Sequence, residues 1–328
     1  MTTYANPPSP DTVSLATLER ASGLWYLDGT IIICSGSLVF RVFRGMLAEQ
    51  SPILEDLVSP ENLGTYDVFD GCPVVPLPHG SSEVLYFLNA IFKPKCVPSF
   101  FMSMPSLDSL FKHFDPIAAI FRLSSLYKVP DLQRKALILL SSVYPMTLEE
   151  FSTQGLGPSY CRDQIMPVIQ LARHYSLDWI LPLAFYRFCL EMTHTTLVYG
   201  VEYAGSRIVL STPDKARCFE ADRLMRSSYR IQIRERCTRL NAGCDGNTEC
   251  QESRLREASI LLDQQESVSE VLFHWAPESS SRLCVLCLEE MERWHMERRQ
   301  SFWDGLPGLF GLPGWTELNE MKDAARGR

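Results

Sequence analysis

Sulfur offers the clearest chemistry in this chain. Cys244 and Cys250 flank Asp245-Gly246-Asn247-Thr248-Glu249, and Cys284-Val285-Leu286-Cys287 supplies a second pair further on. Two ligands close in sequence from each of two elements is the usual way to assemble a tetrahedral four-thiolate zinc site, with Zn–S bonds of about 2.3 Å. The first pair is spaced more widely than usual, and Cys237 and His295 are alternative donors for one position. A filled four-thiolate set leaves no open coordination position, so the ion would hold structure rather than turn over a substrate. Two other readings stay open. The cysteines could be buried thiols acting as small hydrophobes, or a redox dithiol, although that chemistry wants a βαβ setting and the flanks here read as helix.

Other reactive groups do not assemble into a motif. The sequence contains no Gly-x-x-x-x-Gly-Lys, Gly-x-Gly-x-x-Gly, Gly-x-Ser-x-Gly or His-Glu-x-x-His, and its six histidines are dispersed. The expectation is therefore a protein that is not an enzyme. A net charge of −8 gives no general attraction for phosphate, so nucleic acid is not expected as the principal partner. Eleven cysteines, an odd number, without a secretory signal or an Asn-x-Ser/Thr acceptor, lead to an expectation of reduced thiols inside the cell, in the cytoplasm or nucleus. No apolar run reaches the roughly 18 residues of a membrane helix.

The elements that must position the cysteines read as helical. Leu283, Leu286, Met291 and Trp294 recur on one face of a helix opening at the Cys-x-x-Cys, which puts both its sulfurs on one side. Upstream, Arg223, Arg226, Arg230, Arg234, Arg236 and Arg239 alternate with Glu220, Asp222 and Glu235, the pattern of a solvated helix face. Earlier still, Pro167 opens a helix along Val168, Leu171, Ala172 and Tyr175, and Trp179, Ile180, Leu183, Ala184 and Phe188 make another. Downstream, Leu306, Leu309, Phe310, Leu312 and Trp315 are too apolar to hang in water, so the tail is expected to fold back over this half. Its Pro and Gly residues argue against a long helix there.

The first half switches period. Ile31 to Cys34 and Leu38 to Phe43 are β-branched and aromatic runs separated by Ser35-Gly36-Ser37, which predicts a hairpin. Met46, Leu47, Ile53, Leu54 and Leu57 then recur at helical spacing, broken at Ser51-Pro52, where Ser can cap and Pro suits the first helical position. Cys72 to Leu77 reads as a third strand. Helices follow from Ser81, from an Asp115-Pro116 cap and from Val129-Pro130-Asp131, and residues 59–70 and 94–114 read as loops.

These residues resemble the opening of a BTB/POZ domain, in the form found in the expanded family of mushroom-type (basidiomycete) fungal proteins. The family's acidic residue falls on Asp28, its aromatic and basic signature on Phe40 and Arg44, and its leucine and serine on Leu47 and Ser51. Phe43 stands where the family has a histidine. The Asp70-Gly71-Cys72-Pro73 phrase and the Trp303 to Trp315 tail are similar to further segments of the same proteins. The resemblance implies a protein-protein interaction module, with an adaptor role in ubiquitin ligation and a cullin-type scaffold or another BTB protein as partner. It also implies homodimerisation, which is expected to be weak because the stretch before Trp25 lacks a long β-branched run. An alternative is a transcription-linked regulator whose zinc-like C-terminal half contacts nucleic acid. The expected class is α+β, a BTB/POZ-like small sheet with helices followed by a mainly α-helical half. The expected divisions are a disordered segment at 1–20, a domain at 21–145 and a helical domain at 146–328.

Overall fold

A computed structural model of the chain describes residues 18–93, 114–154, 163–191, 193–238, 243–244, 248–263, 272 and 283–327. Its contacts divide between Ser142 and Val143 into two compact units. The class is α+β, with a small mixed sheet in the first unit and mostly helix in the second. Among the described residues no helix is long and apolar enough to cross a membrane.

The first unit is built on strands β1 (Glu19–Trp25), β2 (Ile31–Ser35), β3 (Leu38–Val42), β4 (Val68–Phe69) and β5 (Cys72–Pro76), in the order β1-β3-β2-β5-β4. The expected hairpin forms with Ile31 opposite Val42 and Ile33 opposite Phe40. Gly36 sits at its first loop position with φ of 57°, which only glycine adopts at low cost, and a Cβ there would stand 3.0 Å from Ser81 Oγ. Ile31, Ile32 and Ile33 are all fully buried, so both sheet faces are covered. On one face Ile32 joins Val39, Cys72 and Val74, with Trp25 and Phe69 packed against them.

Helices α1 (Arg44–Ala48), α2 (Pro52–Leu57) and α3 (Pro60–Leu63) follow the hairpin, then α4 (Ser81–Phe92), α5 (Phe114–Leu126) and α6 (Pro130–Ser142) pack in sequence. Ser51 caps α2 by accepting from the Leu54 amide at 3.1 Å. Val84, Phe87, Leu88 and Ile91 form the buried stripe of α4.

Four expectations need correction here. Glu19 and Arg20, placed in the disordered segment, belong to β1, which pairs in parallel with β3 of its own chain. Residues 59–70 carry α3 and β4 rather than only loop, because Asp70-Gly71, with φ of 52° and 77°, makes the tight turn that returns β4 onto β5. Asp115 is not a cap: α5 starts at Phe114, which leaves that carboxylate in the first turn, near the positive end of the helix. The pattern of the two strand runs and the helices after them puts Leu38 in an expected core with Ile31, Ile33, Phe40, Leu47, Leu54, Leu88 and Ile120, but Leu38 is only half-buried, and Val39 is the fully buried one. Residues 1–17 and 94–113 lie outside the described residues.

The second unit comprises α7 (Leu148–Gln154), α8 (Ile165–His174), a short 3-10 turn (Asp178–Ile180), α9 (Leu181–Glu191), α10 (His194–Tyr199), a hairpin of β6 (Val201–Tyr203) and β7 (Ser206–Ile208), α11 (Thr212–Thr238), α12 (Thr248–Asp263), α13 (Val285–Leu309) and α14 (Trp315–Arg326). Pro167 lies in the first turn of α8 instead of starting it. Trp179, Ile180, Leu183, Ala184 and Phe188, expected on one helix, are all buried, but the first two lie in the 3-10 turn and the other three in α9. Asp214, in the first turn of α11, accepts from Arg173, Arg217 and Ser211.

The tail does fold back onto this unit: Phe310 is fully buried with its ring 5.2 Å from Phe185. Contrary to expectation it does so as part of a long helix, since α13 continues through Gly305 and Pro307. Proline cannot donate to the carbonyl four residues back, here Trp303. The indole N–H of Trp315 donates to that oxygen at 2.7 Å instead.

Candidate metal centre

The two sulfur pairs come together. One sulfur atom from each of Cys244, Cys250, Cys284 and Cys287 lies within 4.8 Å of every other. A tetrahedral ion with bonds of about 2.3 Å places its sulfurs about 3.8 Å apart. Cys284 Sγ and Cys244 Sγ, 3.9 Å apart, already meet that spacing. No disulfide joins the described cysteines.

Local structure explains the convergence. Cys284 is the N-cap residue of α13 and Cys287 lies in that helix's first turn, which sets both sulfurs at the same helix end. Cys250 occupies the first turn of α12, and Cys244 precedes that helix. The sulfurs thus collect at two helix N-termini, where exposed amide N–H groups favour anions. The backbone N–H of Cys284 donates to Cys250 Sγ at 3.2 Å and crosslinks the pairs. The Cys287 amide is the main influence holding the Cys284 thiol below the ordinary cysteine range. For Cys250 the Cys284 amide pulls the same way, but burial and the adjacent thiols outweigh it and the thiol titrates higher than usual.

Burial divides the set. Cys250 and Cys287 are 1% and 0% exposed, whereas Cys244 and Cys284 are half-exposed. Cys237 has no described side chain, and His295 is not part of the cluster.

One residue of this neighbourhood carries a signal that was not read from the sequence. Arg254 lies four residues beyond Cys250 in α12, hence on the same helix face. It is 2% exposed, and none of its three side-chain nitrogens has a hydrogen-bond partner among the described residues. A buried, unpaired guanidinium is costly unless negative charge stands nearby. An arginine one helical turn from a candidate ligand was the available clue.

A second sulfur pair is present elsewhere in the unit. Cys189 Sγ donates to the Cys218 carbonyl at 3.5 Å, and both residues are buried in the core. Contact with Cys218, with burial, raises the Cys189 thiol well above its usual range, as suits an inert packing thiol.

The residues matched to the BTB/POZ signature build structure in the first unit. Phe40 is fully buried and Leu47 is 1% exposed. Arg44 opens α1, its amide donating to Thr30 Oγ1 at 3.0 Å. Phe43, in the family's histidine position, packs its ring 5.0 Å from Tyr26. Asp28 is exposed in the turn between β1 and β2. In the arginine-rich stretch, Arg223 pairs with Glu220 and Arg226 with Asp222, which balances those two charges within the helix, while Glu235 pairs with Arg298 of α13.

No protein-family model matches the chain, and no curated protein or solved structure matches it.

Proposed function

We propose that this chain is a protein-protein interaction module in which a BTB/POZ-like sheet unit presents the binding surface and a structural zinc ion ties the second unit together. The observation that carries the metal part is the convergence of four sulfurs, two from each of two segments, within 4.8 Å. Four sulfur donors in tetrahedral array suit zinc, and a complete thiolate set gives the ion a structural role. Four thiolates around a doubly charged cation leave two negative charges. Arg254, buried and without a hydrogen-bond partner among the described residues, on the face that carries Cys250, is positioned to offset one of them. Without the ion, no described residue offers that arginine a hydrogen-bond partner.

The interaction part rests on the resemblance, on the order of hairpin, three short helices, two strands and helix in the first unit, and on its apolar exposure. Leu27, Met46 and Ile53 are large side chains left in water, 83%, 42% and 36% exposed. The last two stand on α1 and α2, the first two of the short helices after the hairpin. A cullin-type scaffold, another BTB protein or a second copy in a weak dimer are the partners proposed for that surface.

Capture of full-length chain from extract, followed by mass spectrometry and by direct binding to the recovered protein, tests the interaction role. Recovery of nucleic acid instead of protein would favour a transcription-linked regulator. Metal analysis of protein purified without chelator tests the centre, with one zinc per chain expected and none overturning it.

A further inference from the structure

The four sulfurs differ in what can reach them. Cys250 and Cys287 are buried inside helices, while Cys244 and Cys284 are half-exposed. The two accessible sulfurs are also neighbours, 3.9 Å apart. Neither lies within a helix: Cys284 caps α13 and Cys244 precedes α12. An oxidant arriving from solvent meets these two first. Closing their separation to a bond of about 2.05 Å asks for side-chain rotation and movement of a non-helical segment rather than for unwinding a helix.

Resting on the metal reading above, we propose that the centre is an oxidation-released metal site in which Cys244 and Cys284 form the disulfide, while Cys250 and Cys287 remain thiols. The oxidant is a hydroperoxide, with hydrogen peroxide the simplest. One accessible sulfur attacks the O–O bond to give a sulfenic acid and expels hydroxide. The other sulfur then attacks that sulfur, forming the S–S bond and expelling a second hydroxide. Two thiolates lose two electrons, and the peroxide gains them and, with two protons, becomes two waters. The ion is left with two of its four ligands and departs. Binding energy that supported the fold goes with it, so oxidation loosens the helix ends around the site. A dithiol reductant with added zinc restores them.

The experiment uses full-length chain purified without chelator, with its metal content measured first. Hydrogen peroxide is then titrated in the presence of a chromophoric chelator, and disulfides are mapped by peptide mass spectrometry. The expected result is release of one ion per chain together with a single Cys244–Cys284 bond, reversed by dithiothreitol and zinc. Metal absent before oxidation overturns the metal reading and the release that depends on it. Metal present but retained while the exposed Met296 becomes sulfoxide overturns this proposal alone, as does release with a Cys284–Cys287 or Cys250–Cys287 bond.

Discussion

The indole N–H of Trp315 donates to the backbone carbonyl of Trp303 at 2.7 Å, and the two rings stack with centroids 4.7 Å apart and planes at 7°. That carbonyl is the one Pro307 leaves without a helical donor. Trp315→Phe keeps an aromatic ring for stacking but removes the donor, and should cost about 0.5–1.5 kcal/mol because a part-buried hydrogen bond to that carbonyl is lost. With Pro307→Ala the residue at 307 regains its own N–H, so the second substitution should cost less there, by at least about 0.5 kcal/mol. Denaturant unfolding of the two single variants and the double variant measures this coupling. Equal cost in both backgrounds would dismiss the compensation.

Metal loss should act locally. Cys284→Ser removes one of four ligands and should lower bound zinc well below one per chain, whereas Cys34→Ser, in β2, should leave it unchanged. Chelation of the wild type should raise hydrogen exchange in the first turns of α12 and α13 and leave the β2–β3 hairpin protected. Equal loosening of the hairpin would mean that the cysteine cluster does not act as a local staple.

The parts of the fold legible in sequence were those fixed by local chemistry. Ile31 to Phe43 announced the hairpin because β-branched residues bracket a glycine that the turn requires. Ser51-Pro52 announced α2 because a cap and a preset φ act within four residues. Strand β1 was not legible: its sequence buries only Ala21 and Leu24 fully, and it is held by parallel pairing to a distant strand. The run of α13 past Pro307 was hidden for a related reason, since the missing hydrogen bond is supplied from a residue outside the helix. At the candidate site, cysteine spacing carried the grouping, but neither the division between buried and accessible sulfurs nor the burial of Arg254 follows from spacing.

His79 gives the first unit a defined acid sensitivity. Its Nε2 lies 2.9 Å from the Tyr127 hydroxyl, in an edge-on ring pair. Burial pushes the Tyr127 pKa up to about 12, so its hydroxyl stays protonated and can donate to a neutral imidazole. Burial is also the main cause that lowers the His79 pKa below 6.5, with Glu83 opposing and Arg122 assisting. Between that lowered value and 6.5 the unfolded chain binds the proton more readily than the folded one. Stability is therefore full above the unfolded pKa and falls as pH drops through this window. His79→Gln should flatten the slope. Unfolding midpoints measured from pH 7.5 to 5 check it, and an unchanged slope in the variant would assign the sensitivity elsewhere.

Arg254 should show effects of opposite sign with and without metal. Arg254→Met keeps a long side chain of similar reach and deletes the charge. In metal-free protein this removes a buried guanidinium with no hydrogen-bond partner among the described residues, so the variant should be as stable as wild type or more so. In zinc-bound protein the same change removes positive charge near a centre of net charge −2, and zinc affinity should fall about 10- to 100-fold, the range seen when groups supporting metal ligands are lost. Arg254→Lys retains charge and should recover part of the affinity. Chelator competition gives the affinity, and unfolding with and without zinc gives the two stabilities. Loss of stability in the metal-free state, or zinc affinity equal to wild type, would show that Arg254 serves packing and not the charge of the thiolate centre.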